Sequence, residues 1–219
     1  MKILAVVSQK GGVGKTTLAT ALAVEAVRQG KSTVMVDLDP QASASFWKDT
    51  REASLLEDDL AITAVPSSRL PHVLSAAEGA GCDLAVIDTP PFSKDIAYEA
   101  AQRADFVLIP TRPAVLDVMA MTRTLDLVKH YQRPYAIALT FCPPQGREVD
   151  DTVKAIEALE ATLSPVRIGN RIAYSRAQQT GRAAQELEAS SKAAREVIEL
   201  YKYLCIHIDG NTGGESGNG

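Results

Sequence analysis

Short runs of β-branched and other apolar residues alternate along the chain with longer stretches in which apolar positions recur every three or four residues. The continuous runs at 3–7, 33–36, 61–65, 84–87, 106–109 and 136–140 predict strands, with a weaker seventh at 166–168. Most are apolar at successive rather than alternate positions, the pattern of strands covered on both faces in a parallel sheet. Helical periodicity predicts helices over 15–29, 42–51, 67–77, 95–103, 115–131, 150–163 and 186–204. Strand then helix, repeated, predicts an α/β fold, a doubly wound and mostly parallel sheet with helices on both faces. No repeat or linker divides the body, so residues 1–208 are expected to form a single domain. The polar, glycine-rich stretch 209–219 has nothing to bury and reads as a flexible tail.

Composition narrows the class without naming a chemistry. The 219 residues are 46% hydrophobic and 23% charged, ordinary globular values that exclude disordered, collagen-like and coiled-coil chains. No apolar run approaches the ~20 residues of a membrane span, and five apolar residues after Lys2 are too few for a signal peptide. A cytoplasmic protein is expected. Cys82, Cys142 and Cys205 are odd in number and widely spaced, which reads as reduced thiols. His72, His130 and His207 are isolated from them, without metal-ligand spacing. With 23 basic against 27 acidic residues the net charge is −4, which taken alone argues against nucleic acid.

Three of the 14 glycines, Gly11, Gly12 and Gly14, cluster between the first strand and the first helix, in Ser8-Gln9-Lys10-Gly11-Gly12-Val13-Gly14-Lys15-Thr16-Thr17. A nucleotide-binding α/β fold places its phosphate site there. Glycines let successive backbone N–H groups point inward, the helix N-terminus adds its positive dipole, Lys15 supplies a charge for the β- and γ-phosphates, and Thr16 offers a hydroxyl to Mg²⁺. The usual G-x-x-x-x-G-K-[ST] pattern fails at its first position, which is Gln9, and a more restrictive K-G-G-x-G-K-T stands in its place.

Two aspartate loops follow. Val36-Asp37-Leu38-Asp39-Pro40-Gln41 closes the second predicted strand, and two carboxylates at i and i+2 of an extended segment point to opposite sides and have different tasks. Leu84-Ala85-Val86-Ile87-Asp88-Thr89-Pro90-Pro91 is an apolar strand ending in Asp88, where a carboxylate can reach a water on Mg²⁺. By position in the sheet, Thr140-Phe141-Cys142-Pro143-Pro144 and Arg167-Ile168-Gly169-Asn170-Arg171 should flank the base.

The K-G-G-V-G-K-T-T string resembles the deviant Walker A motif of the ParA/MinD family of P-loop ATPases, and the likeness extends over about residues 1–205. It implies ATP and Mg²⁺ as cofactors and a slow, partner-stimulated hydrolysis. It also implies that Lys10 reaches the nucleotide of a second subunit, a cation in trans that offsets charge on the transferring phosphoryl group. Asp37 to Gln41 resembles the family's D-x-D-P-Q switch I, which implies that Asp39 helps place the attacking water and that Asp37 partners Mg²⁺ indirectly. Asp88 to Pro91 resembles its D-T-P-P switch II. The nucleotide set implied is Lys10, Gly11, Gly12, Val13, Gly14, Lys15, Thr16, Thr17 and Asp88, the metal set Thr16, Asp37 and Asp88, and the catalytic set Lys10, Lys15 and Asp39. The family usually has an asparagine near the place of Thr140, and this chain does not.

From Pro165 to Gln185 there are four arginines, Arg167, Arg171, Arg176 and Arg182, and no Asp or Glu. The mean charge of −4 therefore conceals a basic stretch that could hold phosphate backbones without reading bases, or could equally be a solvated face. In ParA-type proteins this region supplies nonspecific, ATP-dependent DNA binding, which implies contacts from Arg171, Arg176, Arg182 and Lys192. Ala173 stands where another basic residue is often found. The resemblance implies a homodimer in the ATP state, nucleoid association and a ParB-like or other adaptor protein that stimulates hydrolysis, in partition or cargo positioning. Nothing precedes the first strand, so no N-terminal helix-turn-helix is expected. A MinD-like membrane switch is an alternative, but the last helix, with Ala194, Val197, Ile198, Tyr201, Leu204 and Ile208 on one face and Glu196 and Glu199 among its charges, reads as core packing rather than a basic membrane helix. A metabolic or redox enzyme on the same scaffold is a further alternative; iron–sulfur chemistry would need paired interface cysteines, and Cys82, Cys142 and Cys205 do not offer that spacing.

Overall fold

The computed structural model describes residues 1–41, 43–54, 56 and 60–210. Six strands, β1 (Lys2–Val6), β2 (Thr33–Asp37), β3 (Leu60–Ala64), β4 (Leu84–Asp88), β5 (Phe106–Thr111) and β6 (Tyr135–Leu139), form one sheet in the order β3-β2-β4-β1-β5-β6. Every pairing is parallel. The crossovers carry α1 (Lys15–Arg28), α2 (Ser43–Ala53), α3 (Leu70–Gly79), α4 (Lys94–Arg103) and α5 (Val115–His130), followed by α6 (Glu148–Ala158), α7 (Ile172–Gln179), α8 (Ala184–Leu187) and α9 (Lys192–Asp209). This is the doubly wound α/β architecture of P-loop NTPases.

Alternation along each strand divides the core between the two faces. Leu4 and Val6 of β1 pack with Leu18 and Leu22 of α1, Trp47 of α2 and Val197, Leu200 and Leu204 of α9. Ala5 and Val7 point the other way, into Leu70 and Leu74 of α3, Ala100 of α4, Leu125 and Val128 of α5 and Ile156 of α6. The middle of α1, from Leu18 to Ala26, is buried without a break, which explains why a helix with so weak a polar face forms there. The face of α9 that suggested core packing is buried at Ala194, Val197, Tyr201, Leu204 and Ile208, and Ile198 is half-buried. Among the described residues no helix is long and apolar enough to cross a membrane.

The expected and observed elements part company in the C-terminal third. The seventh strand at 166–168 does not form. Residues 162–170 run beside β6 through separate backbone bonds, Ile137 N–H to the Thr162 carbonyl at 2.8 Å, Ile168 N–H to Leu139 at 2.8 Å and Cys142 N–H to Ile168 at 3.0 Å, with isolated bridges at Ile137–Leu163 and Cys142–Gly169. Pro165, which has no N–H to give, interrupts the ladder. The helix expected over 186–204 is two. Ser191 begins α9 as its N-cap, its hydroxyl accepting the Ala194 N–H at 3.0 Å, and α8 ends before it. The helix expected over 150–163 stops at Ala158, after which Glu160 takes a left-handed φ of 49°. The arginine-rich stretch, to which no helix was assigned, carries α7. Helix α9 continues to Asp209, and residues 211–219 of the expected tail lie outside the described residues.

Candidate nucleotide site

The parallel register brings the sites together before any loop is considered. Asp37 pairs with Asp88 across β2 and β4, and Asp88 pairs with Val6 at the end of β1. Both carboxylates therefore emerge at the C-terminal edge of the sheet, where β1 gives way to the glycine loop. Gly14 caps α1 at φ 86°, a left-handed conformation that a side chain resists. It turns the chain so that the first N–H groups of α1 face the loop's interior.

Lys15 is buried, and its ammonium donates to the Lys10 carbonyl at 3.2 Å. Burial lowers its pKa, against the opposing pull of the Asp88 and Asp39 carboxylates. The Thr16 hydroxyl donates to Asp88 Oδ2 at 2.6 Å, while Asp88 Oδ1 is buried with no hydrogen-bond partner. A hydroxyl and an orphaned carboxylate oxygen side by side at a phosphate loop fit a hydrated Mg²⁺, whose charge would satisfy the oxygen that the protein leaves bare.

Burial raises the Asp88 carboxyl to about 7, with Asp37 and Asp39 adding to the rise and the Thr16 hydroxyl and Lys15 opposing it. Between about pH 4, where an unfolded aspartate titrates, and about pH 7 the folded chain keeps a proton that the unfolded chain has released. The group's contribution to stability therefore falls as pH rises through that window. Asp88→Asn, neutral throughout, is expected to melt above the parent at pH 8 without nucleotide or Mg²⁺, the gap closing toward pH 5. Melting curves across that range check it; a gap that does not change with pH would overturn it.

Asp37, expected to partner Mg²⁺ indirectly, is engaged by backbone N–H groups. Its Oδ1 accepts the Asp39 N–H at 2.9 Å and its Oδ2 accepts the Ala44 N–H at 3.0 Å, so this carboxylate shapes its own loop and holds the start of α2. Burial raises its pKa. Asp39 is half-buried, with Oδ1 accepting the Gln41 N–H at 2.9 Å, and its charge acts on Lys15. The two aspartates thus separate into a loop holder and a carboxylate facing the phosphate site.

A cavity of about 240 Å³ opens beside the loop, lined by Gly14, Thr17, Leu18, Thr140, Phe141 and residues from Ile168 to Gln178. Both segments expected to flank the base are present. Thr140 has a buried hydroxyl that donates to the Val13 carbonyl at 2.9 Å and ties the loop to the end of β6. The wall that α7 adds through Ile172, Tyr174, Ser175 and Gln178 was not anticipated. Nor was Phe92, which lies beyond the D-T-P-P motif at φ 61°, is 76% exposed, and sets its ring against Gly11. No periodicity marks a single exposed aromatic after two prolines.

The basic residues divide. Arg171 is committed to Glu196, its Nε donating to Oε1 at 2.9 Å, and Tyr174 and the Gly169 N–H share the other oxygen at 2.9 and 3.1 Å. Arg171, one of the expected DNA contacts, thus has its charge paired by Glu196, an acidic side chain that arrives from α9. Arg182 is half-buried, whereas Arg176 on α7 and Lys192 at the start of α9 are exposed.

Residues 4–202 match the model of the CobQ/CobB/MinD/ParA nucleotide binding domain. The chain is 35% identical over 211 residues to the Maintenance of carboxysome distribution protein A of Gloeobacter kilaueensis, covering 90% of this chain and 94% of that one. It is 27% identical to the Protein ParA of Rhizobium radiobacter, covering 95% and 96%. A solved structure of an aspartate-to-alanine McdA variant from Cyanothece, described as an ATP complex, superposes with a TM-score of 0.71 at 17% identity, covering 100% and 99% of the two chains, and shows a shared fold. Matched over nearly its whole length and with the phosphate loop, Thr16 and Asp88 assembled at one sheet edge, the chain belongs to the CobQ/CobB/MinD/ParA nucleotide-binding family and is an ATPase of its ParA type.

Proposed function

We propose that the chain is a positioning ATPase that closes into a homodimer on ATP and Mg²⁺, holds DNA nonspecifically in that state, and is released when a ParB-like or other adaptor stimulates hydrolysis. One observation carries the reading. Lys10 is half-exposed and, among the described residues, forms no ion pair. It borders an open groove of about 930 Å³ where Phe92, Leu116 and Met119 are 76%, 70% and 62% exposed. An uncompensated cation set in unpartnered apolar surface is suited to a protein contact, and the partner that also offers phosphate to that cation is a second copy with its nucleotide.

Within each subunit Lys15 and the loop N–H groups would hold the phosphates, Thr16 and Asp88 the hydrated metal, and the cavity between Phe141 and α7 the base. The metal would supply charge neutralisation at the phosphates. Asp39 would orient water, and the partner's lysine would offset the charge that develops. The name of one relative, for carboxysome distribution, supports cargo positioning; nucleoid DNA as the surface, and with it a nucleoid-associated cytoplasmic protein, follows from the ParA-type resemblance. Arg176 and Lys192 are its DNA contacts, with Arg182 at the margin.

The test combines mass and DNA retention. ATP with Mg²⁺ should double the mass in light scattering. DNA retention should need ATP, vanish with ADP and fall steeply with salt, since each phosphate contact releases counterions. Arg176→Glu with Lys192→Glu should reduce retention at least about tenfold while leaving ATP-dependent mass unchanged. Retention that is indifferent to nucleotide would overturn the DNA part; a mass that ATP does not alter would overturn the dimer.

A further inference from the structure

The first aspartate loop, Asp37 to Gln41, is joined to the arginine-bearing segment by a buried joint that no nucleotide-binding motif accounts for. Helix α2 begins on the Asp37 carboxylate through the Ala44 N–H. One turn further on, the Trp47 indole N–H donates to the Arg182 carbonyl at 3.3 Å. One turn beyond that, Arg51 is 5% exposed. Its Nη1 donates to the Gly181 carbonyl at 2.8 Å and to Glu186 Oε2 at 2.9 Å, its Nη2 to Glu186 Oε1 at 2.6 Å, and its guanidinium lies 5.2 Å from the centre of the Trp47 ring. Glu186 in turn accepts the Ala183 N–H at 2.8 Å and so shapes the first turn of α8. Gly181 sits at φ 63° against the backbone of Arg51, so close that a Cβ there would lie 2.3 Å from the Arg51 nitrogen.

We propose that Arg51 and Glu186 are positioning residues that carry the state of the Asp37–Asp39 loop to residues 180–187, and that α2 is the rod between them. A fork-to-fork pair of this kind is short and directional, and once buried it is costly to separate because each charge would be left without its partner. A backbone-on-backbone contact at Gly181 leaves no slack for sliding. The stretch of α2 between Ala44 and Arg51 spans only about 10 Å at 1.5 Å per residue, short enough to move as one body. At its other end the Asp39 carboxylate is electrostatically attracted to Lys15. A triphosphate at Lys15 brings negative charge into that attraction, so the loop has a reason to rearrange. The sense of the device rests on the proposed ATP-dependent DNA reading, because Arg176 and Arg182 lie on or beside the segment that α2 would move.

Trp47 is the chain's single tryptophan and lies inside the joint, so the protein carries its own reporter. The full chain is titrated with ATP·Mg²⁺, and with ADP·Mg²⁺ as control, while Trp47 emission is read and amide hydrogen exchange is mapped. In the parent, ATP should shift the emission and change exchange both in α2 and at 180–187, and ADP should do neither. In Arg51→Lys and Glu186→Gln, ATP affinity should stay within about threefold and the exchange response at 180–187 should be lost, while the response of the Asp37–Asp39 loop persists. If a variant fails to fold, the parent decides: an ATP response confined to the loop and α2, without 180–187, overturns the proposal. So does a variant that keeps the full response. An intact, variant-sensitive response in a protein that retains no DNA would support the joint and refute the DNA reading, which separates the two.

Discussion

Lys10→Ala is expected to bind ATP·Mg²⁺ within about threefold of the parent yet to lose about 10³-fold in stimulated turnover, the lower range seen for a cation delivered in trans. The reason is geometric. Lys15 is the buried lysine of the loop, held inside by the Lys10 carbonyl; the carbonyl survives the substitution, so the phosphate cradle keeps its shape. What is removed is a partly exposed ammonium with no ion-pair partner among the described residues. Its role would appear only when charge accumulates on the transferring phosphoryl group, and an interaction made only in the transition state lowers turnover without weakening binding. Equilibrium binding of a fluorescent ATP analogue, measured beside steady-state phosphate release, checks both halves. Turnover at the parent rate would refute the role in trans.

Asp39→Ala should behave alike in isolation and differently in company. Alone, it should bind ATP and hydrolyse it about 10² to 10⁴-fold more slowly, the range for a lost water-positioning or proton-accepting group. Mixed with Lys10→Ala in equal amounts, however, activity should return to about a quarter of the parent's, because half of the dimers are mixed and each has one complete site. That site belongs to the Lys10→Ala subunit: it has its own Asp39 and borrows a lysine from its partner. If both residues served the same subunit, neither site of a mixed dimer would be complete and nothing would return. Phosphate release from the mixture, at concentrations where light scattering shows dimers, distinguishes the arrangements.

The charge of the last third shows why a local reading of sequence can mislead. Between Pro165 and Gln185 the chain contains only basic charges, which by themselves read as a stretch open to phosphate or to solvent. Folding brings Glu196 from α9 onto Arg171. Glu186, just beyond the segment, turns back to Arg51 of α2. These partners are 25 and 135 residues apart in sequence, beyond any helical or strand period. Arg176 and Lys192 stay exposed, so the basic face is smaller and more local than the count suggested. The same limit explains the split of the last predicted helix: apolar spacing runs on through 186–204, while the break is made by a serine cap whose preference competes with the helix interior.

The layered α/β plan is written in the chain's local pattern, since continuous apolar runs demand cover on both faces and the intervening helical periods supply it. So is the phosphate loop, because glycines, Lys15 and Thr16 lie within one turn and need no distant partner to be recognised. What each aspartate meets follows from the assembled sheet, because Asp37 and Asp88 become neighbours through strand order rather than chain order. Only the tertiary structure showed that Thr140 ties the loop from the far side of the sheet and that Arg51 is a buried joint rather than a surface charge. Local propensities are read from neighbours a few residues away; the pairing of buried polar groups is a property of the assembled fold, whose dry interior makes an unpartnered group costly.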